Sequence, residues 1–151
     1  SFIYGDVIDY ENKDEIDMVI SLHACNTATD IAILKALGWN AKVFFAVPCC
    51  QKEINSQLGN EFLPFMLKHG IIKEKFSTLL TDSIRSEVLE AFGYKSDIVE
   101  FISEENTPKN QLIRAYKTST KLDKEKIKQI EKFTSSINIK MLLLDEVAKL
   151  I

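Results

Sequence analysis

The chain has 151 residues, of which 46% are hydrophobic and 27% charged, the proportions of one ordinary globular domain. Its formal net charge of -3 lacks the positive excess that indiscriminate nucleic-acid binding needs, and five Gly and three Pro rule out collagen-like and Pro-rich disordered chains. No apolar run approaches the roughly 20 residues of a membrane-spanning helix, and three Cys are too few for a disulfide framework, so a reducing, cytoplasmic setting is expected.

Phe2, Ile3 and Tyr4 read as a strand end entering a turn at Gly5-Asp6, so the chain is expected to be a piece of a longer protein. The polar stretch Asp9 to Asp17 is a surface connection. Met18, Val19, Ile20 and Leu22 form a short apolar run, the mark of a strand covered on both faces. Thr27 and Asp30 have the spacing of a capping box, and Ile31, Leu34 and Leu37 supply a helical stripe that Gly38 is placed to stop in a left-handed turn. Ala41 to Val47 is a second buried strand ended by Pro48, which completes a βαβ unit with parallel strands. A short helix is expected around Glu61 to Lys68. A longer one runs from about Lys73 to Phe92 on the apolar face Phe76, Leu79, Leu80, Ile84, Val88, Leu89 and Phe92, with Gly93 at its end. Ile98 to Ile102 and Gln111 to Tyr116 come next as strands. The polar linker between them is too short for a crossover helix, so they pair antiparallel. The last segment, 119–151, reads as a helical tail after a main unit spanning 1–118, with apolar stripes at Leu122, Ile127, Ile130 and Phe133 and again from Ile139 to Ile151.

Open parallel sheets bind ligands beyond the carboxyl ends of their strands. Here those ends collect Asp6, Leu22-His23-Ala24-Cys25-Asn26 and Pro48-Cys49-Cys50-Gln51. Three chemistries fit. His23, Cys25, Cys49 and Cys50 offer four metal ligands, but H-x-C with an adjacent Cys pair matches no usual zinc spacing, so no metal is expected. A cysteine nucleophile needs a cation or helix N-terminus to lower its pKa. The third chemistry positions a cofactor and a substrate without a covalent step. The bland reading makes Cys25 and Cys49 small buried hydrophobes and leaves His23 to satisfy a turn.

The string from Asp17 through Leu22, His23, Cys25 and Asn26 to Asp30 resembles the fourth-strand region of class I S-adenosylmethionine-dependent methyltransferases. Val47-Pro48-Cys49-Cys50-Gln51-Lys52-Glu53 resembles the segment after their fifth strand, and Thr107-Pro108-Lys109-Asn110 with Leu112 to Ala115 resembles their final strand and its preceding loop. A more distant likeness runs to eukaryotic tRNA 2′-O-methyltransferases of the acceptor stem, which have Gly where Asn26 stands. The resemblance covers about Phe2 to Lys117. It implies an α/β fold: part of a Rossmann-like three-layer sandwich, parallel except for an antiparallel C-terminal pair. It further implies S-adenosylmethionine as cofactor, with Asp6 and Val7 near the adenine and Leu22 and His23 along the methionine side. His23, Cys49, Cys50, Lys109 and Asn110 are the catalytic candidates it suggests.

The Gly-rich loop that marks the cofactor site in that family has no counterpart, since no G-x-G occurs in the chain. The amine-methylating signature N/D-P-P-Y/F is also absent from Leu22 to Cys25, which argues against an exocyclic base amine as acceptor. The expected acceptor is a nucleic acid such as tRNA or a small molecule. The alternative is a non-catalytic α/β binding or interaction module. An unpaired central strand, Met18 to Leu22, would make the chain self-associate edge to edge, or be covered by the tail helix Ile139 to Ile151.

Overall fold

The computed structural model describes residues 2–11, 14–59, 61, 63–103, 107 and 110–151. The chain runs β1 (Met18–Leu22), α1 (Thr27–Gly38), β2 (Val43–Val47), α2 (Lys52–Gln57), α3 (Pro64–Leu67), α4 (Gly70–Ala91), β3 (Tyr94–Glu100), β4 (Gln111–Lys117), α5 (Lys124–Ser136) and α6 (Leu142–Val147). The strands form one sheet in the order β1-β2-β4-β3. β1 and β2 are parallel, with Ile20 opposite Phe45. β4 lies antiparallel to β3, as the short connection between them requires, and antiparallel to β2 as well.

One face of this sheet is the core. Phe44, Ala46, Ile113 and Ala115 are completely buried, together with Ile33 and Ala36 of α1 and Val88 and Leu89 of α4. The other face is open. Met18, Ile20 and Leu22 are 46%, 57% and 65% exposed, and Tyr116 on the same side stacks edge-on against Phe45. Among the described residues the sheet therefore has two layers rather than three, and β1 is not covered on both faces. An apolar run shows that side chains favour burial, but not whether the chain supplies a cover for each side. Among the described residues β1 is also an edge strand, bonded to β2 alone.

Several local expectations change for physical reasons. Phe2 to Tyr4 form no strand and stand in solvent, since no strand among the described residues takes up their backbone groups. The helix expected at Glu61 to Lys68 shrinks to α3, which Pro64 opens at its first turn. α2 arises without a periodic apolar signal, burying only Ile54. α4 begins at Gly70, a turn earlier than its apolar stripe, and Leu79 of that stripe lies exposed. Gly38 stays within α1, and Asn40, at φ 51°, takes the left-handed turn instead. Gly93 does end α4 as expected. Its φ is 84°, and a Cβ there would collide with the Ser119 carbonyl, which keeps β3 close to the exit of β4.

The C-terminal helices join the same core. Asp123 caps α5 by accepting the Lys126 amide at 3.0 Å, and Ile127, Ile130, Met141, Leu143, Leu144 and Val147 pack into the main cluster. α6 lies on α1, so of the two expected fates of β1, pairing with a second copy or cover by the tail helix, the second does not occur.

Candidate active site

β1 and β2 run to the same end of the sheet, and β4 begins there. His23 leaves β1 with a positive φ of 53° and donates its amide to the Val47 carbonyl at 3.0 Å. Asn26 comes next at φ 52° and ψ -120°, and Ala28 donates back to Cys25 at 3.1 Å. That is a type II′ turn with Asn at the position Gly prefers. Asn26 also uses its side chain, its Oδ1 accepting the Glu53 amide at 2.8 Å while its own amide donates to Cys50 at 3.0 Å. The loop after β1 is thus bolted to the loop after β2.

A set of buried charges lies under this junction. Arg85 of α4 is 1% exposed and donates to Asp30 at 2.7 Å, to Asp82 at 2.9 Å and to the Asn26 carbonyl at 2.8 Å. Asp30 therefore pairs with Arg85 instead of closing a capping box, and Thr29 turns its hydroxyl to the Ala24 carbonyl at 2.8 Å. Burial pushes the Asp30 and Asp82 carboxyls above the usual carboxylate range, against the pull of Arg85. Burial likewise opposes the Arg85 charge, but the two carboxylates outweigh it and hold its pKa above the ordinary value. Gln51 extends the set outward, donating to Asp82 and accepting from Thr78, both at 3.1 Å. Glu53, pushed up chiefly by burial, accepts the Leu142 amide at 2.8 Å and so joins α6 to the same frame.

The candidates from sequence fall into two groups. Cys25, Cys49 and Cys50 converge, with all three Sγ atoms within 4.8 Å of one another. The Cys25 and Cys49 sulfurs approach to 2.8 Å, and both point toward the His23 carbonyl, at 3.9 and 3.5 Å. His23 and Leu22 lie exposed beside them, and the His23 imidazole is not part of the sulfur cluster. Cys49 and Cys50 also line an open groove of about 360 Å³ with Gln51, Lys52 and Thr78. Asn110 is at the same end of the sheet but is 2% exposed, and its side chain donates to the Ile102 carbonyl at 3.1 Å, bracing the β3–β4 connection. Lys109 lies outside the described residues.

Asp6 and Val7 stand apart from these. They line a separate shallow groove within residues 3–11, and Asp6 accepts the Ile8 amide at 3.0 Å. Neither Leu22 nor His23 lines that groove.

Arg85 and Asp82 are the site residues that reading the sequence missed. Their one signal was phase. Arg85 lies four residues after Thr81 and four before Leu89, in register with a face that is otherwise buried.

A family model described as a methyltransferase domain matches residues 1–57, from the N-terminal loop to the end of α2. None of the curated proteins and none of the solved structures matches the chain. The match supports a methyltransferase and takes in Asp6, Val7, Leu22, His23, Cys49 and Cys50, while Lys109 and Asn110 fall beyond it.

Proposed function

We propose that this chain carries part of a Rossmann-like, S-adenosylmethionine-dependent methyltransferase domain that methylates RNA in the cytoplasm. The observation that carries the reading is the parallel β1–α1–β2 unit, whose strand ends present Leu22, His23 and Cys49 side by side within the matched residues. The sheet order β1-β2-β4-β3, with β4 antiparallel, agrees with the second half of such a domain. The RNA acceptor rests on the resemblance of the Asp17 to Asp30 string alone, and the three free thiols suit a reducing compartment.

The residues fit the cofactor in part. Leu22 offers an exposed apolar side chain and His23 an exposed imidazole at one strand end, while the Asp6 carboxylate is exposed but lines a different groove. S-adenosylmethionine would supply a methyl group on a sulfonium. The work of the chain is to align an acceptor with it, and His23 is the group within the site that can take a proton from a hydroxyl acceptor. Cys49 and Cys50 shape the acceptor side of the groove.

The test is radiolabelled methyl transfer to total RNA, protein and metabolites by the full protein that contains this chain. Label in RNA, lost in His23→Ala, is the expected result. Replacing Cys49 or Cys50 by Ala should slow transfer tenfold to a hundredfold, about 1.4–2.8 kcal/mol in the barrier. No transfer, with no calorimetric signal for S-adenosylmethionine, would make the chain a binding module instead.

We also propose that this chain associates with a second copy through the unpaired β1 edge, where Met18, Ile20 and Leu22 are exposed. Ile20→Lys should shift its light-scattering mass toward the monomer.

A further inference from the structure

We propose that Cys25, Cys49 and Cys50 form a three-thiolate site for one thiophilic d10 cation, Zn²⁺ or Cu⁺. Sequence spacing argues against a metal because no two of these cysteines stand in a C-x2-4-C motif. The fold removes that objection, since Cys25 meets Cys49 and Cys50 across two parallel strand ends.

Three observations carry the site. The first is convergence: every pair of sulfurs lies within 4.8 Å, and the nearest pair at 2.8 Å. Sulfurs sharing a tetrahedral Zn²⁺ at about 2.3 Å sit about 3.8 Å apart. That value lies between the two limits, so modest side-chain rotation brings all three into range.

The second is placement before binding. The two loops that carry the thiols are tied by the bonds from Asn26 to Cys50, from Glu53 to Asn26 and from His23 to Val47. Arg85 clamps the Asn26 carbonyl from below at 2.8 Å. The backbone cost of gathering the ligands is met by the fold itself rather than by the metal.

The third is ligand chemistry. Among the described residues the cluster contains three sulfurs and neither an imidazole nor a carboxylate, a donor set that selects soft cations over Mg²⁺ and Ca²⁺. On binding, each thiol transfers its proton to solvent and the S–H contacts with the His23 carbonyl are released. Three protein ligands leave one coordination position open, as in catalytic rather than structural zinc sites. Two of the three ligands, Cys49 and Cys50, also line the 360 Å³ groove. The inference stands apart from methyl transfer, and its readout is metal content rather than activity.

The experiment is anaerobic titration of the reduced protein with Zn²⁺ and separately with Cu⁺, each against a competing chromophoric chelator. X-ray absorption then counts the sulfurs around the bound ion. One ion per chain with Kd of about 1 µM or tighter, three sulfur neighbours, and at least a hundredfold weakening in each of Cys25→Ser, Cys49→Ser and Cys50→Ser is the expected result. Circular dichroism of each variant should match the parent, so that lost binding is not lost folding. Affinity unchanged by the serine variants, fewer than three sulfurs on the ion, or a Cys25–Cys49 disulfide forming in air while the reduced protein takes up neither ion would each overturn it.

Discussion

Beneath the loops after β1 and β2, Arg85, Asp30 and Asp82 form a buried ionic set; above the same loops three thiols gather, two of them against a backbone carbonyl. The two clusters share the backbone of Asn26, yet their physics differs. In the lower one each charge has a partner and almost no water, so removing one group strands the others. The upper one is partly solvated and contains no ion pair among the described residues, so removing one thiol changes chemistry more than stability. The site is a firm frame under a reactive surface.

The largest expected effect comes from breaking the frame. Arg85→Met should cost about 3–5 kcal/mol in urea unfolding, because two buried carboxylates lose their cation. Replacing Asp30 and Asp82 by apolar residues as well should recover much of that loss. A cost under about 1 kcal/mol for Arg85→Met alone would show that the frame does not hold the loops.

The next effect is pH-linked and tests another buried polar group. Tyr94 donates to the Ala41 carbonyl at 2.6 Å, and burial pushes its phenol up to about 12. The folded state therefore favours the protonated phenol. Its contribution is complete below pH 10 and is lost as pH rises toward 12, about 2–3 kcal/mol in all. The difference between parent and Tyr94→Phe in unfolding free energy, measured across that range, should shrink by this amount. A constant difference would place the phenol in contact with water.

The shared residue gives a smaller effect that separates backbone from side chain. Asn26→Ala keeps the positive φ and loses the bond to Glu53, a cost of about 1–3 kcal/mol in thermal or urea unfolding. Asn26→Gly relieves the backbone while losing the same bond and should fall within about 1 kcal/mol of the parent. Equal costs for the two would show that the turn carries no strain.

The smallest effect belongs to the upper cluster. Cys25→Ser should leave metal-free stability within about 0.5 kcal/mol of the parent in urea unfolding, because Cys25 is exposed and its thiol meets only weak partners among the described residues, the other two thiols and a carbonyl. A cost near that of Arg85→Met would erase the contrast between the two clusters.

The amino-acid sequence alone determined the elements whose signals are local. The β1–α1–β2 unit arises from two apolar runs around a helical stripe, the end of α4 from Gly93, and the antiparallel pairing of β3 with β4 from the shortness of their connection. It also placed the thiols and His23 at strand ends, because a strand's direction fixes which residues leave it last. Tertiary structure alone decided what depends on partners distant in the chain. Arg85 reads as one charge on a helix until folding sets it against Asp30, 55 residues earlier. Three cysteines become a cluster only because parallel pairing aligns Leu22 with Val47 and a type II′ turn at Asn26 comes directly after. The openness of one sheet face was likewise undetermined by Met18, Ile20 and Leu22. Apolar side chains favour burial without specifying what covers them, and in this structure the helices pack on the opposite face.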